Sequence, residues 1–186
     1  MPKGNENTNA YIASEYLYSD GPFISPQNLN RFNALVKFTK RVNENQKFSL
    51  SASHFTSNWD ASGQIPVRAV QSGQISRFGA IDDTEGGKTA RTNAQATYFN
   101  QLSSSSYLEA SSYYTNYDFL LYSNFTFFAE NPINGDQIRQ KENRNLYGFK
   151  STYGKSLELN DATAELSLSA GLRNDIIANN ELSRTK

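Results

Sequence analysis

Two segments that alternate between apolar and polar residues flank a long glycine-rich stretch, and this arrangement constrains the fold most. Residues 47–57 alternate before the stretch, and residues 90–98 alternate after it. A period of two predicts β-strands with one apolar and one polar face. We therefore predict a strand, a long polar loop over Ser57–Arg91, and a returning strand.

The same alternation recurs along the chain and predicts seven strands in all. The other five are predicted at residues 10–19, 31–42, 107–128, 144–153 and 162–175. Long connections, including a second polar loop at residues 129–143, alternate with short polar turns at residues 43–46 and 103–106. Connections in compact soluble domains have a median of about four to six residues, so the long loops are unusual.

Long loops at one end of the strands and short turns at the other are typical of outer-membrane barrels. We predict an all-β protein with an antiparallel up-and-down transmembrane β-barrel. Bacterial single-chain barrels have even strand numbers, so about seven strands indicate a partial barrel, a section of a larger one. The whole chain, residues 1–186, is predicted to be this single partial domain.

Composition agrees with a barrel wall and excludes other classes. Hydrophobic residues make up 37% of the chain, whereas aromatics reach 13%, with 11 Tyr and 12 Phe. Aromatic girdles are characteristic of barrels. The 18 basic and 18 acidic residues leave no basic surface for nucleic acid, and there is no cysteine. No run approaches the roughly 20 apolar residues of a membrane helix. The first ten residues lack the apolar core of a signal peptide, which we expect to be absent.

Several short motifs resemble a known family in order and spacing. They are DGPF at 20–23, WDASGQIP at 59–66, RAV at 68–70, RFGAID at 77–82, GG at 86–87, YSNFT at 122–126 and NGDQ at 134–137. Over nearly its whole length the chain resembles the barrel region of TonB-dependent outer-membrane receptors. The resemblance implies a transporter of about 22 strands whose lumen is plugged by a separate N-terminal domain.

The resemblance also implies location, partners and cargo. The protein would reside in the bacterial outer membrane, in contact with the lipid bilayer. In the full-length protein, the plug domain and an inner-membrane energy-coupling complex would be its partners. The small nutrient ligand would be a ferric siderophore or similar chelate, with cobalamin and glycans also open. The chain departs from the family pattern because it lacks the plug, the signal peptide and the terminal strand. No cofactor is expected.

Trp59, Arg68 and Arg77 are the candidate ligand-binding residues, because all three are predicted on extracellular loops. Arginine and aromatic side chains suit anionic chelates through paired hydrogen bonds and cation–π contacts. The alternative role for such arginines is pairing with acidic neighbours inside the barrel.

No catalytic or metal site is predicted. The only histidine, His54, lies on the apolar face, near the loop end of its strand, where a Ser-His-Asp triad could not form. The acidic segment 82–87 could offer oxygen ligands, but it lacks the alternating spacing of an EF-hand loop. Asn124–Thr126 matches a glycosylation pattern, and we interpret it as strand. We therefore predict that the protein is not an enzyme.

Alternation also assigns the two faces of the predicted barrel. Residues expected to face the lumen are Arg91, Lys150, Glu165, Arg173 and Asp175. Residues expected to face lipid or its headgroups are Phe32, Phe38, Tyr98, Tyr113, Tyr153 and Leu168.

Two other interpretations remain open. The first is a complete small barrel of eight strands with a structural or adhesive role. The second is a soluble β-sandwich that binds a partner. The odd strand count and the family motifs disfavour the first, and the long one-sided loops disfavour the second.

Overall fold

The computed structural model describes residues 3–5 and 7–185 and shows one antiparallel sheet in which consecutive strands are neighbours. The strands are β1 Lys3–Asn5, β2 Thr8–Ser19, β3 Leu29–Arg41, β4 Gln46–Ala61, β5 Glu85–Ser103, β6 Ser106–Ser123, β7 Ile138–Leu159 and β8 Ala162–Arg184. One short helix, α1, spans Val67–Gln71. The all-β, up-and-down prediction is confirmed, as are the seven long strands.

The sheet is open in the part of the chain that the structure describes. Its order runs from β1 to β8, and β8 pairs only with β7. The strand β1, with 3 residues, adds an eighth strand that alternation did not predict. The prediction that a signal peptide is absent concerns the first ten residues. Of these, Met1, Pro2 and Glu6 lie outside the residues that the structure describes.

Several predicted boundaries are wrong, most of them at the ends of strands that meet the long loops, although β7 also continues past residue 153 to Leu159 at its short-turn end. The strands β4 and β5 extend further than predicted, so the loop predicted over Ser57–Arg91 spans only residues 62–84 and contains α1. The strand β6 ends at Ser123, so Asn124–Thr126 is loop and the strand interpretation is wrong. The strand β8, with 23 residues, is the longest and continues well beyond residue 175.

Cross-strand partners define the two faces, because directly opposed residues point to the same side of a sheet. One register row joins Phe38, Leu50, Ala96, Ser112 and Phe149. We call the side with this row the apolar face. Its residues include Ile12, Phe32, Val36, Phe48, Ala52, Ala94, Tyr98, Leu108, Tyr114, Tyr147, Tyr153, Leu168 and Leu172.

The apolar residues form a band that ends partway along the strands. The rings of Tyr114 and Tyr147 contact each other at a tilt at its loop-side boundary, with centroids 5.1 Å apart. The hydroxyl of Tyr114 donates to Asn145 Oδ1 at 2.8 Å, and Asn116 Nδ2 donates to the same oxygen at 2.9 Å. Above this row the same face is more polar, with Asn116, Asp118 and Asn143 among its residues, so the strands project beyond the band. At 22 residues, β7 is about twice the roughly 9–11 residues that cross a bilayer.

The opposite side, which we call the polar face, carries hydrogen-bonded small residues. Ser53, Asn93 and Thr115 are neighbours in one row, where Asn93 Nδ2 donates to Ser53 Oγ and Thr115 Oγ1 donates to Asn93 Oδ1, both at 3.0 Å. Register places Arg91, Lys150, Glu165, Arg173 and Asp175 on this face. All five predicted lumen residues therefore share one face.

Tyr113 is the one residue of the predicted lipid-facing set that lies on the wrong side. It pairs with Gly148, which register places on the polar face, and its ring covers that glycine. Tyr107 covers Gly154 in the same way. Residues 113 and 114 are both tyrosine, so alternation could not tell which ring lies on which face. The other five residues of the set share the apolar face.

No helix among the described residues has both the length and the apolar character to cross a membrane.

Candidate ligand-binding loops

Three long loops lie at one end of the sheet. The first, second and third long loops span residues 20–28, 62–84 and 124–137, and the short turns at the other end span residues 42–45, 104–105 and 160–161. Of the eight buried polar residues in the described part of the chain, six lie at the loop end. They are Ser57, Ser62, Glu85, Ser123, Asn124 and Asp136. The loops and strand ends therefore form a packed structure of their own.

The first and second long loops are joined directly. The backbone N–H of Ile24 donates to the carbonyl oxygen of Phe78 at 2.9 Å. The rings of Phe23 and Phe78 meet edge to face, with centroids 6.3 Å apart. Asn28 Nδ2 donates to Asp60 Oδ2 at 2.8 Å, which holds the end of the first loop to β4. These contacts fix the first loop against the second.

The second and third long loops meet at Asp82 and Asn124. Asn124 Nδ2 donates to Asp82 Oδ2 at 2.8 Å, and the backbone N–H of Asn124 donates to Glu85 Oε2 at 3.1 Å. Gln137, at the end of the third loop, donates to Thr84 Oγ1 at 2.7 Å. Both ends of the third loop are thereby tied to the second.

Burial and hydrogen bonds act in opposite directions on the carboxyl groups of this junction. Partial burial would raise the pKa of Asp82, but hydrogen bonds from Asn124, Thr84 and Gln137 hold it below the ordinary value. Glu85 is the first residue of β5 and lies outside the apolar band. Burial raises the pKa of the Glu85 carboxyl, the hydrogen bond from Asn124 opposes that rise, and the charge of Asp82 adds to it.

The third loop is folded around Asp136. Its two carboxylate oxygens accept the backbone N–H groups of Glu130 and Asn131 at 3.0 and 2.7 Å. The hydrogen bond from Glu130, more than any other contact, lowers the pKa of Asp136. Arg184, at the end of β8, donates to Glu130 Oε2 at 2.5 Å. The loop is thus anchored to the edge strand.

The structure separates the three predicted ligand-binding residues. Trp59 lies in β4 rather than in a loop, and its indole packs over Gly87 on the polar face. Arg68 lies in α1 and Arg77 in the turn before Phe78, and both are exposed. Within residues 3–5 and 7–185, neither arginine has a side-chain hydrogen bond or an ion pair. The two guanidinium groups are therefore free to meet a ligand.

Large apolar side chains are exposed on all three loops. They are Ile24, Val67, Phe78, Phe125, Phe128 and Ile133. Sequence reasoning did not single out these residues, because isolated apolar residues in a polar loop carry no period. Exposed apolar groups beside unpaired guanidinium groups can bind a ligand that is both anionic and partly apolar.

The polar face contains a shallow groove of about 420 Å³ below the loops. Ser53, Arg91, Asn93, Tyr113 and Thr115 line it. Arg91 Nε donates weakly to Asn93 Oδ1 at 3.3 Å, so most of the donors of this guanidinium remain available. The groove lies on the face predicted to line a lumen.

His54 lies mid-strand on the apolar face rather than near a loop. Its Nδ1 is 2.9 Å from Thr92 Oγ1. In the described part of the chain, no group of three or more His, Cys, Asp or Glu side chains is arranged to hold a metal ion.

Comparison with protein-family models, curated proteins and solved structures gave no match for this chain. Function must therefore be inferred from the fold and from the geometry of the loops.

The contacts of Asn124 predict a local effect of its removal. Asn124→Ala would lose the bond to Asp82 and the acceptor for the backbone N–H of Phe127, which lies at 2.9 Å. At about 0.5–1.5 kcal/mol for each bond, amide exchange at Phe127 should quicken by about tenfold or more. The control is Asn134→Ala, because the Asn134 side chain makes no hydrogen bond within the described residues. Equal exchange in the two variants would contradict the role given to Asn124.

Proposed function

We propose that the chain is a section of the barrel of a TonB-dependent receptor in the bacterial outer membrane. In this proposal the protein is a receptor and carrier for a scarce nutrient and not an enzyme. The apolar face contacts lipid, the polar face lines the lumen, and the three long loops face the cell exterior.

The observation that carries this proposal is the apolar band on one face of the sheet. Tyrosines bound the band, and most residues on the opposite face of β5 are polar, among them Arg91, Asn93 and Gln95. Tyrosine suits a membrane–water boundary because its ring is apolar and its hydroxyl can hydrogen-bond to water. A soluble sandwich would instead cover this face with a second sheet. The described residues form a single sheet, and large apolar side chains such as Leu168 remain 60% exposed.

The open edges of the sheet support a larger barrel. A strand edge in lipid must be paired, since each unsatisfied backbone group costs several kcal/mol there. Further strands of the full-length receptor would pair with β2 and β8. The groove lined by Arg91 and Tyr113 would then face the lumen, where the plug domain sits in this family. The plug would in turn connect to the inner-membrane energy-coupling complex.

The ligand in this proposal is a ferric siderophore or a similar anionic chelate. Arg68 and Arg77 supply unpaired positive charge on the second loop, and the exposed side chains of Val67 and Phe78 supply apolar contact next to them. Trp59 lies below, on the wall of the lumen, and would meet a ligand that passes between the loops.

Fluorescence of the only tryptophan tests the ligand assignment, because iron(III) chelates quench a nearby indole. The chain contains one Trp, so the signal reports on Trp59 alone. Ferric citrate, a ferric hydroxamate, a ferric catecholate and cobalamin would be titrated against the full chain in detergent micelles. One ferric chelate should quench saturably.

Removing the positive charge of the loop should weaken this binding. Arg77→Ala should raise the dissociation constant of the chelate that quenches by about tenfold or more, since a hydrogen bond to a charged group contributes about 1.5–3 kcal/mol. Arg41→Ala is the matched control, because Arg41 lies at the short-turn end. Absence of saturable quenching by every probe would reject the ligand assignment and leave the membrane assignment standing.

The strand count favours a second candidate, a complete small barrel with a structural or adhesive role. Counting β1, the sheet has eight strands, an even number. Closure would require β8 to pair with the other edge. Hydrogen exchange distinguishes the two proposals. Closure would protect the amides of β8 that point away from β7, whereas in an open section these amides would exchange rapidly.

A further inference from the structure

The carboxyl group of Glu85 is buried where the second and third loops meet, and only one of its two oxygens has a hydrogen-bond partner. The residue is 7% exposed, and its Oε2 accepts the backbone N–H of Asn124 at 3.1 Å. Its Oε1 is shielded from solvent and has no hydrogen-bond partner among the described residues. Gly63, with φ of 63°, lies directly against this oxygen, which occupies the space that a Cβ at Gly63 would need. An acceptor that is both buried and unpaired requires explanation.

A second carboxylate lies beside Glu85, and no basic residue compensates the pair. Asn124 is hydrogen-bonded to both Glu85 and Asp82, which brings the two acidic groups together. None of the ion pairs found in residues 3–5 and 7–185 includes Asp82, Asp83 or Glu85. Buried charges in proteins are paired or coordinate metal ions.

We propose that this junction binds a calcium ion, with Glu85 Oε1 as a direct ligand. Calcium prefers carboxylate, carbonyl and water oxygens in flexible numbers, so one buried carboxylate can be completed by loop carbonyls and water. Asp82 contributes charge, because its two oxygens already accept bonds from Asn124, Gln137 and Thr84. A site with so few charged ligands should have a dissociation constant in the weak range of about 10⁻⁴–10⁻³ M that is typical of extracellular modules.

The ion would stabilise the contact between the second and third loops at the loop end of the sheet. Glu85 follows directly after the second loop, and Asn124 begins the third, so an ion at Glu85 would neutralise the negative charge of Asp82 and Glu85 where the two loops meet. Spacing within residues 82–87 alone did not predict this site, because the partner Asn124 comes from a different loop. The inference does not depend on transport and holds for either barrel proposed above.

Terbium luminescence tests the site directly. Tb³⁺ replaces Ca²⁺ in oxygen sites and emits when a nearby indole is excited. Trp59 pairs with Gly87 two residues along β5 from Glu85 and on the same face, a diagonal separation of about 7–8 Å. The full chain in micelles should show saturable Tb³⁺ emission excited through Trp59, and Ca²⁺ should displace it.

Glu85→Gln is the diagnostic variant and Asp83→Asn is its control. Both remove one negative charge, but Asp83 is exposed and has no side-chain partner in the described part of the chain. Glu85→Gln should bind Tb³⁺ about tenfold more weakly or not at all, since affinity follows the number of charged ligands. Asp83→Asn should bind as the parent does.

Stability provides a second readout that does not depend on luminescence. In calcium-free buffer Glu85→Gln should unfold at the same or a higher urea concentration than the parent, because it removes an uncompensated buried charge. Added Ca²⁺ should raise the midpoint of the parent and of Asp83→Asn but not that of Glu85→Gln. Saturable Tb³⁺ binding that survives Glu85→Gln, or a parent that neither binds Tb³⁺ nor gains stability from Ca²⁺, would overturn the proposal and indicate a protonated, neutral Glu85.

Discussion

Leu168→Arg should prevent the chain from assembling in lipid vesicles. Leu168 lies on the apolar face, paired with Tyr153, and is 60% exposed. Arginine on the lipid face of a barrel costs about 2–4 kcal/mol at the bilayer midplane and much less near the interfaces. We expect a loss of that size in the free energy of folding into vesicles, measured by urea titration. Protease protection of the sheet should fall in parallel.

Ser169→Arg is the matched control for this effect. Ser169 is the next residue of β8, and register places it on the polar face opposite Thr152. Its hydroxyl is 2.8 Å from Thr152 Oγ1, so the variant loses one exposed hydrogen bond and gains a charge that faces water. Assembly should continue with little change. If Leu168→Arg assembled as well as Ser169→Arg, lipid contact at Leu168 would be refuted.

Gly86→Ala should produce the largest loss of stability at the loop end. Gly86 has φ of 147°, a conformation that side-chain-bearing residues rarely adopt. A Cβ at this position would overlap the carbonyl oxygen of Trp59 and lie 2.9 Å from the Cα of Asp60. These are backbone atoms of the neighbouring strand, so no side-chain rotation relieves the overlap. Strained backbone alone costs about 1–3 kcal/mol, and the overlap adds to it.

Gly73→Ala separates the two causes. Gly73 also has positive φ, at 76°, but nothing lies within 4 Å of its added Cβ. It should therefore show only the cost of the backbone conformation, about 1–2 kcal/mol. Urea unfolding followed by fluorescence of Trp59, next to Gly86, measures both variants. Equal losses in the two would show that contact with β4 is unimportant.

The parts of the fold that alternation predicted are the parts that lie within or beside the apolar band. From Phe32 to Phe38, and again from Phe48 to His54, one face is consistently less polar than the other, and register confirms both assignments. The polar face was predicted equally well, since Arg91 and Arg173 share it. A strand with one apolar and one polar face leaves a period of two in the sequence.

The strand ends above the band could not be predicted, because both of their faces are polar. The strand β7 begins with IRQKEN, which contains no alternation, so the sequence predicts a loop there. In β8 the pairing register shifts by one residue opposite Asn143 and Arg144, so residues beyond the shift change faces. The alternation of apolar and polar residues is therefore lost after Asp175. Hydrogen bonding to neighbouring strands, which sequence periodicity does not record, extends these strands.

The candidate site was predicted only in part for a related reason. Arg68 and Arg77 were found because exposed arginines on a long loop suggest anion binding by residue type alone. The junction of Asp82, Glu85 and Asn124 depends on two loops that meet in space. The turn residues around Asp136 did signal a loop, but their spacing does not reveal which loop they contact.

In the proposed function, one face of this sheet contacts lipid and the other contacts water. The chain has no cysteine, so single cysteines can be introduced one at a time along residues 162–175 and spin-labelled in vesicles. Collision with oxygen reports lipid, and collision with a water-soluble nickel complex reports solvent. We expect the two accessibilities to alternate out of phase with a period of two, with oxygen favoured at Leu166, Leu168 and Leu172. Equal access of the nickel complex to both faces would contradict it.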